Sequence, residues 1–150
     1  MKKHFLSCLL TLIFFGCCKK SVESSLIIRN ISPSKVSLQM YKNGIINKIP
    51  NVILKGASGA ILDSAGLKLR DVSSLYFLAD SIIVVFDNQK KTVHYGRNKT
   101  GNNPSAVLFA DKRSLFNALA YESKVIIEKR CYSETDFIYT FGEQDYLNAK

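Results

Sequence analysis

The feature that most constrains the fold of this chain is a two-residue alternation of apolar and polar side chains, in short runs from residue 26 onwards. Gly, Pro, Asn, Asp and Ser separate these runs, and no run keeps a helical period long enough to build a helical domain. Val36, Leu38 and Met40, for example, share one face of a strand, and we expect that face to be buried. Asn43-Gly44 favours a type I′ hairpin turn, because both residues tolerate positive φ.

Seven to nine short strands at regular spacing predict an antiparallel β-sandwich with one short helix, in a single domain of residues 26–150. The two most apolar runs, residues 75–78 and 81–86, are expected to be central strands. The predicted strands are residues 26–31, 36–40, 52–54, 60–62, 75–78, 81–86, 91–95, 125–127 and 137–141.

The short helix is predicted at residues 114–120. There Leu115 and Leu119 share a face, and Asp111 can accept hydrogen bonds from the first turn. A capping pattern at residues 140–143 predicts one more helical turn, through Tyr146.

Length and charge limit the classes of function. The 150 residues suit one domain, which excludes a large multidomain enzyme. The chain has 21 Lys and Arg against 12 Asp and Glu, a net charge of +9. Such an excess favours an anionic partner.

The first residues have the composition of an export signal. Lys2 and Lys3 precede an apolar run at residues 5–16. Twelve residues are too few for a membrane-spanning helix, which takes about 20. We therefore expect residues 1–16 to be removed, and nucleic acid is not an expected partner of an exported chain.

Phe14-Phe15-Gly16-Cys17 at the end of this run resembles a bacterial lipobox. The resemblance implies that Cys17 becomes the first mature residue and is acylated, so that membrane lipid is a partner. Cys18 is the alternative acceptor, and a plain secretory signal that ends at cysteines is the alternative to the lipobox. Two or three acyl chains would hold the protein firmly, because each buried methylene contributes about 0.8 kcal/mol.

Residues 17–25 are short and polar and are predicted to form a flexible, lipidated tether. No Asp follows Cys17, and within the lipoprotein resemblance this implies sorting to the outer membrane. Residues 80–86, 139–141 and 144–149 are similar to segments of small uncharacterised envelope lipoproteins of the Bacteroidota, a resemblance that implies no known activity.

Two cysteines remain when the leader is removed and Cys17 is acylated. Cys18 and Cys131 are free to form a disulfide in an oxidising compartment, but nothing in the sequence forces the pair. The favoured interpretation of Cys131 is a small buried residue of a strand.

Few residues of the sequence are candidates for a catalytic role. His94 is the only imidazole beyond the leader, and no GxSxG motif accompanies it. The carboxylate pairs Asp63/Asp71 and Asp80/Asp87 stand beside turn residues, where Asp commonly caps the chain. One His and one Cys do not make a metal site. We therefore predict no catalytic residues, no metal and no cofactor.

The densest basic group straddles a hairpin and the loop at residues 96–105. It consists of Lys90, Lys91, His94, Arg97 and Lys99. These residues are the predicted contacts for an anionic partner, either an envelope protein or an anionic glycan, although Lys residues at a sheet edge also simply prevent aggregation.

The sequence thus predicts a non-catalytic lipoprotein of the cell envelope that acts as a binding or structural module. One alternative is an envelope enzyme that acts on glycan or peptide through His94 or a carboxylate pair. Another is an immunity or inhibitor lipoprotein that blocks a toxic partner.

Overall fold

The computed structural model describes residues 19–47, 52–54, 72–99, 101 and 103–150. The strands in these ranges are β1 (Ser21–Asn30), β2 (Val36–Lys42), β3 (Ile45–Ile46), β4 (Val52–Leu54), β5 (Ser81–Phe86), β6 (Lys90–Tyr95), β7 (Ala106–Val107), β8 (Glu122–Lys129) and β9 (Tyr132–Phe141). The helices are α1 (Val72–Leu78), a 3-10 turn (Ala118–Ala120) and α2 (Glu143–Asn148). The protein is mainly β, as predicted, with two sheets in a sandwich-like arrangement.

The larger sheet of the described chain has the order β3-β2-β5-β6-β7, and β4 also pairs with β2. Two of its connections are tight turns with positive φ. Asn43 (52°) and Gly44 (77°) join β2 to β3, and Asp87 (49°) and Asn88 (61°) join β5 to β6. Asn and Asp tolerate this conformation, and Gly adopts it without steric cost. The predicted hairpin at Asn43-Gly44 is confirmed.

The smaller sheet has the order β1-β9-β8. β8 and β9, which contain the strands predicted at residues 125–127 and 137–141, form an antiparallel hairpin. β1 lies parallel to β9, in register from Ser21 opposite Tyr132 to Asn30 opposite Phe141. The predicted antiparallel arrangement is therefore not complete, because β1 runs parallel to β9 and, in the larger sheet, β6 runs parallel to β7.

The core lies between the sheets and takes alternate residues from both. β2 contributes Val36, Leu38 and Met40, all at most 5% exposed, as the alternation predicts. Two aromatic residues of β9, Tyr139 and Phe141, pack with ring centroids 4.9 Å apart. Burial of such side chains is the main stabilising contribution to a domain of this size.

Two predicted elements are wrong. The apolar run at residues 75–78 belongs to α1, in which Leu75 is buried and Phe77 is 84% exposed. The helix predicted at residues 114–120 is a series of turns that ends in the 3-10 turn. Its supposed common face does not exist, since Leu115 is buried and Leu119 is 86% exposed.

A helix near the C-terminus is confirmed as α2, but the capping pattern predicted at residues 140–143 does not start it, because Thr140 lies in β9 and the helix begins at Glu143. Its N-cap is Gly142, whose amide donates to Asp145 Oδ2 at 2.8 Å.

The predicted tether is wrong for residues 21–25, which form the first half of β1. Their side chains are mostly exposed, but their backbone pairs with β9, so a polar sequence without apolar periodicity still forms a strand. Several predictions lie outside the described residues: the leader, Cys17 and Cys18, the strand at residues 60–62, and Asp63 and Asp71.

Candidate functional site

The predicted basic group is divided by strand β6. Lys90 and Lys91 begin the strand, and Arg97 and Lys99 follow its end. A strand of this length separates its two ends by about 16 Å, at about 3.3 Å per residue. The five residues therefore do not form one surface.

Lys90 and Lys91 are tied to the C-terminal segment. Lys90 Nζ lies 4.7 Å from the centroid of the Tyr146 ring and 3.4 Å from the Tyr146 carbonyl oxygen. The Lys91 amide donates to the Lys150 carbonyl at 2.7 Å, and the Lys150 amide donates back at 3.3 Å. These contacts fasten the end of the chain to β6.

His94 does not lie on the surface. Its side chain is buried, and Nδ1 accepts a hydrogen bond from the Leu115 amide at 3.1 Å. Burial, assisted by the positive charge of Arg113, lowers the pKa of His94 to about 3. The imidazole is therefore neutral at physiological pH. Because it is buried and neutral, His94 does not belong to the predicted set of residues that contact an anionic partner.

Arg97 and Lys99 lie near a third cation, Lys42, which the sequence did not indicate as a site residue. Together with Lys42 they line a cleft of about 310 Å³, at the end of the sheet where β2, β5 and β6 align. We call this the basic cleft, defined by Lys42, Asp80, Arg97 and Lys99. Pairing of Ser81 with both Tyr41 and Tyr95 brings Lys42 near Arg97, so the signal for Lys42 was its place at the end of β2.

Asp80 organises the basic cleft. Its Oδ2 accepts from the Asn43 amide at 2.8 Å and lies 3.6 Å from Lys99 Nζ, and its Oδ1 accepts from Ser81 Oγ. Burial acts to raise the pKa of Asp80, but the Asn43 amide, Lys99 and Ser81 outweigh it and lower the pKa. The carboxylate is thus ionised and already occupied.

The cations of the basic cleft are held at fixed positions. Lys42 Nζ donates to the Tyr76 carbonyl at 2.5 Å, and the Arg97 guanidinium lies 5.2 Å from the centroid of the Phe109 ring. Three cations face one carboxylate, so the formal charge of the cleft is +2. An arrangement of this kind attracts an anion.

The described carboxylate pair is not placed for hydrolysis. Asp80 and Asp87 flank opposite ends of β5 and are about 23 Å apart along the strand, at about 3.3 Å per residue. Glycoside hydrolysis needs carboxyl groups about 5 to 9.5 Å apart. Asp87 Oδ1 instead accepts from the Lys35 amide at 2.7 Å and so stabilises its turn.

His94 is also not arranged as a general base. A catalytic triad holds the proton on Nδ1 and leaves the Nε2 lone pair free for the nucleophile. In His94 the Nδ1 lone pair accepts the Leu115 amide, so the proton of the neutral ring is assigned to Nε2. In this tautomer Nε2 donates a hydrogen bond, so neither ring nitrogen has a free lone pair that could accept a proton from a nucleophile.

No protein-family model, curated protein or solved structure matches this chain. Within the described ranges, no three His, Cys, Asp or Glu side chains are grouped so that they could hold a metal ion. Across the same ranges, no helix has the length and apolar character needed to cross a bilayer.

Cys131 is disulfide-bonded and lies exposed in the turn between β8 and β9, so its interpretation as a small buried strand residue is wrong. Its carbonyl accepts from the Ser21 amide at 2.9 Å, which places the start of β1 beside this turn. The other three cysteines of the chain lie outside the described residues.

Proposed function

We propose that this chain is a non-catalytic lipoprotein of the bacterial envelope that binds an anionic glycan through the basic cleft. The lipobox-like sequence supplies the anchor at Cys17, with Cys18 as the alternative acceptor, and the outer membrane is the proposed location. The protein acts as a tethered binding module. Confinement to a membrane raises its local concentration, so even a weak contact is effective.

The observation that carries the binding role is the excess of positive charge in the basic cleft. Lys42, Arg97 and Lys99 come from separate segments of the chain and line the same cleft. Asp80 neutralises only one of them, and its pairing with Lys99 leaves two cations uncompensated within the described cleft. Phosphate or carboxylate groups of a glycan are ligands that would complete this charge balance.

The short connection between Cys17 and β1 supports a position of the domain close to the membrane anchor. β1 begins at Ser21, and the four residues from Cys17 to Ser21 reach at most about 14 Å. A domain on so short a connection stays near the lipid head groups, where phosphorylated glycans are concentrated.

The anchor is tested by metabolic labelling with a fatty-acid analogue. The wild-type chain and Cys18→Ala are expected to be labelled, and Cys17→Ala is expected to lose the label. Equal labelling of wild type and Cys17→Ala would contradict the assignment of Cys17.

The basic cleft is tested by binding to lipopolysaccharide, whose lipid A carries phosphates on a glycan. A Lys42→Met, Lys99→Met protein is expected to bind about tenfold more weakly, and with a smaller dependence on salt, because two cations are removed. The matched control is Lys112→Met, Lys124→Met, which removes the same charge from exposed positions outside the cleft. Equal losses in both proteins would show attraction by net charge alone and would refute the cleft.

A further inference from the structure

A second cavity lies between the sheets and shares no residue with the basic cleft. Its volume is about 230 Å³, and it is bounded by β5, β6, β7, β9 and α2. We call it the polar cavity and define it by Phe86, Thr92, His94, Ser105, Arg113, Phe141 and Asp145.

Three polar side chains of this cavity are buried: His94 is 3% exposed, and Thr92 and Ser105 are each 8% exposed. Over the ranges that the structure describes, no protein group forms a hydrogen bond with Thr92 Oγ1, His94 Nε2 or Ser105 Oγ. Among the described residues, no side-chain N or O atom that is sealed from solvent lacks a partner, so these three atoms keep some contact with solvent. Their residues line the polar cavity.

Such groups need a partner from outside the protein. Buried polar groups of native proteins are nearly always hydrogen-bonded, and an unpaired group costs about 1 to 3 kcal/mol. Thr92 and His94 are two residues apart on β6 and therefore face the same side of the sheet. Convergence of these atoms on one cavity indicates a binding site for water or a polar ligand.

The polar cavity is electrically neutral. Asp145 accepts from Arg113 Nε at 3.2 Å and from Nη2 at 2.5 Å, so the two opposite charges compensate each other. His94 Nε2 bears the proton of a neutral ring, because Nδ1 accepts the Leu115 amide. The cavity has neither an uncompensated cation for an anion nor a free carboxylate for a cation.

The remaining wall is mostly apolar. Pro104, Ala106 and Val107 line it together with Asn148, whereas the rings of Phe86 and Phe141 lie behind the surface, at 0% and 1% exposed. A ligand that fits both walls has hydroxyl groups on one side and C–H groups on the other. The cavity volume equals about eight water molecules at about 30 Å³ each, which gives room for one pyranose ring.

We propose that the polar cavity binds a neutral, polyhydroxylated ligand, in the form of a single sugar unit. Hydroxyl groups both donate and accept, so one sugar can accept from His94 Nε2 and exchange hydrogen bonds with Thr92 and Ser105. The apolar side chains of Pro104, Ala106 and Val107 then pack against the C–H groups of the ring. This site is independent of the proposed anion binding in the basic cleft.

The test is saturation-transfer-difference NMR of the purified full-length protein. The probes are glucose, galactose and N-acetylglucosamine, with glucuronate and acetate as charged probes, all at millimolar concentration. At least one neutral sugar is expected to give signals, with amide shift changes at Ser105 and Ala106 in a labelled sample. No signal from any neutral sugar, or stronger binding of the charged probes, would overturn the proposal.

Variants connect the signal to the cavity. Thr92→Val and Ser105→Ala each remove one hydroxyl and are expected to weaken binding about three- to tenfold. Ser133→Ala is the matched control, because Ser133 is equally buried but lies on β9 outside the cavity. Unchanged binding in both cavity variants, or an equal loss in the control, would refute the assignment.

Discussion

The buried neutral His94 predicts that this protein loses stability in mild acid. The pKa of His94 falls from its ordinary value of 6.5 to about 3 on folding, chiefly because the ring is buried, with Arg113 adding to the effect. Below pH 6.5 the unfolded chain binds a proton at this residue that the folded chain does not bind. Stability therefore rises with pH between about 3 and 6.5 and is lost as the pH falls through that window.

The size of the loss follows from the same shift. Each pH unit below the unfolded pKa costs about 1.4 kcal/mol until the folded pKa is reached. Between pH 7 and pH 4.5 the contribution of His94 amounts to about 2 to 3 kcal/mol, from the two units below 6.5. This is a large part of the about 5 to 15 kcal/mol that stabilises a typical domain.

The assay is urea unfolding of wild type and His94→Asn at both pH values. The Asn oxygen can take the place of Nδ1 and accept the Leu115 amide, but Asn does not titrate. Carboxylates that titrate in this range are common to both proteins and cancel in the comparison. The variant is expected to be less stable at pH 7 but to lose about 2 to 3 kcal/mol less on acidification. If the two proteins lose the same free energy, another group is responsible and the argument fails.

Three further experiments test a turn, an ion pair and the disulfide bond. Gly44→Ala is expected to lower the unfolding free energy by about 1 kcal/mol, since φ is 77° there, whereas Gly142→Ala, also with open space around its Cβ, is expected to cost only a few tenths; equal effects would contradict the strain argument. Arg113→Met removes two hydrogen bonds to a carboxylate and one to a backbone carbonyl and is expected to cost about 1 kcal/mol by urea unfolding; no change would show that these half-exposed contacts contribute nothing. Peptide mapping without reductant is expected to join the Cys131 peptide to one that contains Cys18, because acylation would consume the Cys17 thiol; a free Cys131 thiol would contradict the disulfide.

Local conformation was predictable where a turn has residues with a strong preference of their own. Asn43 and Gly44 occupy positive φ as expected, and the strands on either side of this turn follow the alternation. The β class of the domain could be predicted for the same reason, because the period of the side chains is a local property.

Short apolar segments were not predictable in this way. Residues 75–78 are apolar at four consecutive positions, a pattern that suits a buried strand and a helix equally. The structure forms α1, and Leu75 of this helix and Ala79, which directly follows it, are buried together. Only the neighbouring sheet, which covers this side of the helix, decides between the two.

The helix predicted at residues 114–120 fails because side chains bond the backbone groups that a helix would use. The Tyr121 hydroxyl donates to the Leu115 carbonyl at 2.7 Å, and Asn117 Oδ1 accepts the Leu119 amide at 3.0 Å. Asp111 accepts from the Leu108 amide and so stabilises the preceding turn instead of the predicted helix. Side chains of Asn, Asp and Ser commonly compete with helices in this manner.

Strand β6 explains why the candidate sites were only partly visible in the sequence. The alternation rule places apolar Val93 inside and leaves Thr92 and His94 outside, yet all three are at most 8% exposed, because both faces of β6 are covered. Lys91 at the start of β6 and Arg97 beyond its end are exposed, whereas His94 in the middle of the strand is buried, which is why Arg97 lines the basic cleft and His94 does not. Thr92 and His94 are polar residues on the inward face of β6, where burial costs desolvation free energy. They break the pattern that the rest of the sheet follows. Such exceptions are expected where a protein binds something, and the polar cavity is the place where this one occurs.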